Sequence, residues 1–151
     1  MTGHQGEVLS ASFSPNGEYI ATASMDRAMR LWDLSGNQLA EFTGHRSGVT
    51  SVSFSPNGEY IATASMDRTM RLWDLSGSQL AEFRGHQGWI LSASFHPTGK
   101  FLATGSSDRT ARLWRVEGLD ELLLRGCDWL KYYFASRPEE LAKLKVCHAP
   151  I

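Results

Sequence analysis

The chain of 151 residues is 42% hydrophobic, which supports a packed core and argues against intrinsic disorder. Its formal net charge of -1 gives no general pull toward phosphates or anionic lipid, so neither nucleic acid nor a membrane surface is expected as a partner. No run of 18 apolar residues occurs, and just two cysteines, Cys127 and Cys147, with no secretory stretch at the start, fit a reducing cytoplasm.

The first element expected is a strand from Val8 to Phe13, in which Val8, Ser10 and Ser12 alternate with Leu9, Ala11 and Phe13. Ser14-Pro15-Asn16-Gly17 supplies a turn, because proline presets the first corner and Gly17 accepts positive φ. A second strand follows from Tyr19 to Ser24, a tight reversal at Met25-Asp26-Arg27, and a third strand from Ala28 to Asp33. Ser35-Gly36-Asn37 turns the chain again into a fourth strand, Gln38 to Phe42. The whole unit is a meander of short antiparallel strands.

This unit recurs. Gly3-His4, Gly44-His45 and Gly85-His86 are spaced by 41 residues, as are Trp32-Asp33, Trp73-Asp74 and Trp114-Arg115. Residues 3–43 and 44–84 differ at only eight positions: Gln5/Arg46, Gly6/Ser47, Glu7/Gly48, Leu9/Thr50, Ala11/Val52, Ala28/Thr69, Asn37/Ser78 and Thr43/Arg84. The second strand is built of small residues, Ala21 to Ser24, so neighbouring sheets can approach both its faces. Such a sheet cannot bury itself and needs neighbours stacked on it.

The Gly-His dipeptide, the turn Asp and the Trp-Asp dipeptide resemble the WD-repeat family of β-propellers. The resemblance implies an all-β propeller segment of three four-stranded antiparallel blades over 1–117, divided as 3–43, 44–84 and 85–117. It also implies a rigid platform for protein partners. In the family, the matching side chains form a structural network running from Trp32 to Thr22, His4 and Asp26. The corresponding sets here are Trp73, Thr63, His45, Asp67 and Trp114, Thr104, His86, Asp108.

Histidine, aspartate and a hydroxyl are also the parts of a nucleophilic triad, with Ser24, Ser65 and Ser106 as alternative hydroxyls. An enzyme has no use for one set copied into every repeat, so no catalytic residue and no cofactor are expected. Buried indole and imidazole groups do need partners, at about 1–3 kcal/mol for each one left unsatisfied.

Where the copies disagree, a partner is sought. Gln5-Gly6-Glu7 becomes Arg46-Ser47-Gly48 and then Gln87-Gly88-Trp89. The expected protein or peptide-binding face comprises Gln5, Glu7, Arg46, Gln87 and Trp89 with Met25, Met66 and Ser107, rich in residue types favoured at interfaces. Neutral drift in an exposed loop is the competing reading. Arg27, Arg68 and Arg109, which follow the turn Asp, are expected to contact neighbouring loops.

Beyond the repeats, 118–151 is expected to form a helical tail, similar to the terminal cap of bacterial WD-repeat arrays. Apolar residues at helical spacing favour a helix over Leu119–Phe134, with a fourth strand as the alternative, and Ser136 opens a second helix leading to Val146. Cys127, Cys147 and His148 lack the spacing of a metal site. Three blades cannot close a ring of four to eight, so the chain reads as a fragment of a longer array, with self-association when it is expressed alone.

Overall fold

The computed structural model describes residues 2–116. The helical tail expected over 118–151, including Cys127, Cys147 and His148, lies outside the described residues. The first blade contains β1 (Val8–Phe13), β2 (Tyr19–Ser24), β3 (Met29–Asp33) and β4 (Gln38–Phe42). The second contains β5 (Val49–Phe54), β6 (Tyr60–Ser65), β7 (Thr69–Asp74) and β8 (Gln79–Arg84). The third contains β9 (Ile90–Phe95), β10 (Phe101–Ser106) and β11 (Ala111–Arg115). Strands neighbour one another in chain order in every sheet, the signature of a meander.

The third blade shows β9, β10 and β11 among the described residues, and the stretch for the fourth strand expected of it lies outside them. One expectation needs correction. In β1, alternation fails at its start: Val8 opposes Ser24 whereas Ser10 opposes Ala23, so Leu9 is an extra residue in a bulge. The same bulge recurs between Val49 and Ser51, and it turns Val49 to the buried side along with Val52 and Phe54. A smaller difference concerns Ala28, which precedes β3: the pairing of β3 with β4 begins at Met29 opposite Phe42, whereas in the second blade Thr69 pairs with Arg84.

The turns follow their chemistry. Gly17 takes φ +74° and its N–H closes onto the Ser14 carbonyl at 2.9 Å, while Ser14 Oγ accepts from the Tyr19 N–H at 2.9 Å. Arg27, Arg68 and Arg109 also take positive φ, at 72°, 69° and 69°, each with its N–H closing onto the carbonyl of the serine three residues earlier.

Blades pack face to face. Val49, Val52 and Phe54 of the second blade enter a core with Ala21, Ala23, Met29, Leu31 and Phe42 of the first. Phe42 meets Trp73 edge-on, with ring centroids 5.9 Å apart, and Phe83 meets Trp114 similarly at 5.7 Å. Polar stitches accompany this packing. Ser10 Oγ accepts from the Val52 N–H at 3.3 Å, and Ser51 Oγ accepts from the Ala93 N–H at 3.2 Å. Thr50, where the first repeat has Leu9, adds a 2.6 Å bond to the Ile90 carbonyl.

Candidate functional site

Each repeat joins its Trp, Thr, His and Asp in one chain of hydrogen bonds. In the second blade, the Trp73 indole N–H donates to Thr63 Oγ1 at 2.8 Å. Thr63 Oγ1 lies 2.8 Å from His45 Nε2, and His45 Nδ1 lies 2.8 Å from Asp67 Oδ2. The first blade repeats this with Trp32, Thr22, His4 and Asp26, and the third with Trp114, Thr104, His86 and Asp108, all at 2.7–2.8 Å. A neutral imidazole protonated on Nδ1 satisfies every member: Nδ1–H donates to the carboxylate, and Nε2 accepts from the threonine hydroxyl. The chosen hydroxyls are therefore the threonines. Ser24, Ser65 and Ser106 instead accept from the N–H groups of Asp26, Asp67 and Asp108.

Chemically, the arrangement resembles a triad whose hydroxyl is occupied. Thr63 is wholly buried, and the indole N–H holds its oxygen lone pair, so no substrate carbonyl can reach it.

The aspartates carry much of the connectivity. Burial pushes the Asp67 carboxyl upward, but hydrogen bonds from His45, Thr69 and the Arg46 N–H outweigh it and hold the group well below the usual carboxylate range. Asp26 is lowered likewise, with burial opposing donors from the Gln5 N–H, His4 and the Ala28 N–H. For Asp108, the Thr110 hydroxyl is the leading donor, followed by His86. Through these bonds each Asp fixes the loop after Gly-His: the N–H groups of Gln5, Arg46 and Gln87 all donate to the turn Asp at 2.9 Å.

Two buried arginines escaped the sequence reading. Arg30 bridges Asp26 at 3.0 Å and Glu41 at 3.2 Å, while Arg71 reaches Glu82 at 3.1 Å. A Cβ at Gly44 would fall 2.4 Å from Arg71 Nη1 and 3.4 Å from the Trp73 ring. The glycine of Gly-His therefore admits the loop against the third strand. Asp26 in the turn four residues before Arg30, and Glu41 opposite it in the paired strand, are the signal that could have revealed it.

The expected binding residues fall into pairs. Met25, Met66 and Ser107 donate their N–H groups to the carbonyls of Glu7, Gly48 and Trp89 at 2.9–3.0 Å. Met25 also lies over the next blade, where a Cβ on Gly48 would meet its sulfur at 2.6 Å. Trp89 is 53% exposed, and Gln5, Glu7, Met25, Arg46, Gln87 and Ser107 are exposed with it, whereas Met66 is half-buried. Arg46 and Met66 share a cleft whose lining does not include Trp89. Arg27, Arg68 and Arg109 are exposed, and their side chains make no hydrogen bond or ion pair among the described residues, although Arg68 lines a cleft with Gly85 and His86 of the next repeat. No group of three or more metal-ligating side chains gathers among the described residues, and no helix there is long and apolar enough to cross a membrane.

Comparison with known proteins accords with this geometry. The family model described as "WD domain, G-beta repeat" matches residues 1–33, 36–74 and 77–115. Among curated relatives, ribosome assembly protein 4 of Saccharomyces cerevisiae is 54% identical over 33 residues, which is 22% of this chain and 6% of that protein. A probable cytosolic iron-sulfur protein assembly protein 1 of Pyricularia oryzae is 44% identical over 39 residues, covering 25% of this chain and 9% of the relative. The human U5 small nuclear ribonucleoprotein 40 kDa protein is 43% identical over 37 residues, covering 24% and 10%. The aligned part is thus a tenth or less of these relatives. With three matches covering most of its length and one hydrogen-bonded Trp-Thr-His-Asp set in each, the chain belongs to the WD-repeat family.

Proposed function

We propose that the chain is a non-enzymatic protein-interaction scaffold that holds a protein or peptide partner on its loop face. The observation that carries this is a contrast within each loop. The backbone at positions 5, 46 and 87 is tied by the same bond to the turn Asp, while the loop's side chains change from Gln5 and Glu7 to Arg46 and Gly48 and then to Gln87 and Trp89, with Gln5, Glu7, Arg46, Gln87 and Trp89 exposed. A fixed backbone presenting varied side chains is how a rigid scaffold acquires specificity at low entropic cost. Relatives named for iron-sulfur protein assembly and ribosome assembly support a scaffold role. The Trp-Thr-His-Asp sets serve rigidity in this reading, since a closed hydrogen-bond chain leaves no free nucleophile. Affinity capture with Trp89→Ala and Arg46→Ala tests it: loss of specific partners with an unchanged melting temperature is expected, and captures unaffected by both would sink it.

A second reading, self-association, rests on the two end faces. Val8 and Phe13 of the first blade are 52% and 66% exposed, although their counterparts Val49 and Phe54 are buried against the preceding blade. At the other end Leu113 is 67% exposed, although its counterparts Leu31 and Leu72 are buried. These faces are the two halves of an interface the chain already uses between its own blades. When expressed alone, a second copy, or further repeats of a longer array, fits there head to tail. Light scattering should find an oligomer that Phe13→Asp dissociates; a monomer at high concentration would exclude it.

A further inference from the structure

A cleft of about 440 Å³ is lined by Arg46, Arg68 and Arg84, together with Ser47, Met66 and Thr69. Arg46, Ser47, Thr69 and Arg84 all stand at positions where the first two repeats differ. Only eight of 41 positions differ, so half the divergence between the copies converges on one place. The direction of change is electrostatic. Arg46 stands where the first repeat has Gln5, and Arg84 where it has Thr43, while Arg68 matches Arg27. The corresponding residues one repeat earlier thus include one arginine in place of three.

Three guanidinium groups outnumber the one carboxylate of the lining. That carboxylate, Asp67, has its oxygens held by His45, Thr69 and the Arg46 N–H rather than by the arginine side chains. Neither Arg46 nor Arg68 makes a side-chain hydrogen bond or ion pair among the described residues. Arg84 Nε contacts Glu82, but Arg71 already holds that carboxylate at 3.1 Å, so two guanidinium groups share one negative charge. The backbone beneath is set: the Arg46 N–H is tied to Asp67 at 2.9 Å, and Arg68 is held at φ 69° by the bond from its N–H to the Ser65 carbonyl.

Guanidinium groups match the oxygens of carboxylates and phosphates in paired hydrogen bonds, and a cleft of about 440 Å³ is of the size that takes a few side chains. Met66 offers apolar ground beside the charges, which suits a peptide. A chain of net charge -1 offers no extended field for a long polyanion. We propose that the cleft of Arg46, Arg68 and Arg84 binds a peptide segment carrying neighbouring anionic side chains, carboxylate or phosphate. This inference rests on the loop-face scaffold reading and names the chemistry of its partner.

Fluorescence anisotropy of the full chain with labelled short peptides tests it, using alternating Glu and Gly, the same with phosphoserine for Glu, and the same with Gln for Glu. One or both anionic peptides should bind at least about tenfold more tightly than the Gln peptide, and their ratio assigns carboxylate or phosphate as the preferred group. Arg46→Gln with Arg84→Thr, which installs first-repeat residues at those two positions, should weaken that binding at least about tenfold. Gln5→Arg with Thr43→Arg should create a second site and raise the stoichiometry toward two, a readout independent of whether the first variant folds. Equal binding of the Gln peptide, an unaltered affinity in the folded arginine variant, or displacement by a single-stranded oligonucleotide of equal charge that binds more tightly would overturn the proposal. Protein partners lost with Trp89→Ala but retained by the arginine variant would leave the loop-face scaffold standing without this cleft; partners retained by both would remove both.

Discussion

The first and second blades share 33 of 41 residues, yet Phe13 is 66% exposed and Phe54 is 7% exposed. The same side chain, in the same strand, flanked by nearly the same residues, is surface in one copy and core in the other. Burial in a stacked array is conferred by the neighbouring blade, so a residue's energetic weight depends on its place in the stack more than on its own sequence. The polar network behaves differently. Its bonds are the same length in the end blades and the middle one, because every partner lies within a single repeat.

This contrast breaks most visibly on paired truncations. Phe54→Ala should cost about 3–5 kcal/mol in chemical denaturation, whereas Phe13→Ala should stay within about 0.5 kcal/mol at concentrations where light scattering finds the monomer; comparable losses at higher concentration would mean that a second copy covers the first blade's face. The next largest effect is expected from His45→Ala, which strips a partner from both Thr63 and Asp67 and should cost about 2–3 kcal/mol, with His4→Ala similar because its network is equally local. A much smaller effect at His4 would show that the network too depends on stacking.

Acid sharpens the same point. The folded carboxyls of Asp26, Asp67 and Asp108 are lowered, so their stabilisation is complete above the unfolded value of about 3.9 and is lost as pH falls from there toward the folded values. Melting temperature should therefore change little on this account between neutrality and about pH 5 and fall below about pH 4, and Asp67→Asn should flatten that fall while lowering stability at neutral pH. The smallest measurable loss within the network belongs to Thr69→Ala, which removes a 2.6 Å hydroxyl bond to Asp67 that the first repeat, with Ala28, lacks. It should cost about 0.5–1 kcal/mol by thermal denaturation.

Much of this was legible in the chain. Alternation and turn chemistry located β1, β2 and β4 of the first blade, and the resemblance to WD repeats implied which of the Trp, Thr, His and Asp side chains meet. The bulge at Leu9 was hidden because Val8 and Leu9 are both apolar, so an extra residue does not disturb the hydrophobic pattern enough to announce itself. Arg30 was missed because an arginine in a short strand reads as a solvated residue until its carboxylate partners are placed beside it. Arg46 and Arg84 were each visible as departures from the repeat, but their meeting in one cleft spans 38 positions and depends on the closing of the whole blade.

The network bonds reach across 10, 18 and 22 positions, and the stitches between blades across 40 to 42. A chain whose contacts span about one repeat at most can grow by adding repeats without redrawing those already present. The polar chain of a blade is complete within its own 41 residues, whereas the face of Ala21, Ala23, Met29 and Leu31 is covered only when Val49, Val52 and Phe54 of the next repeat lie on it. Each duplication thus supplies both a self-contained polar lock and the cover for the unit before it.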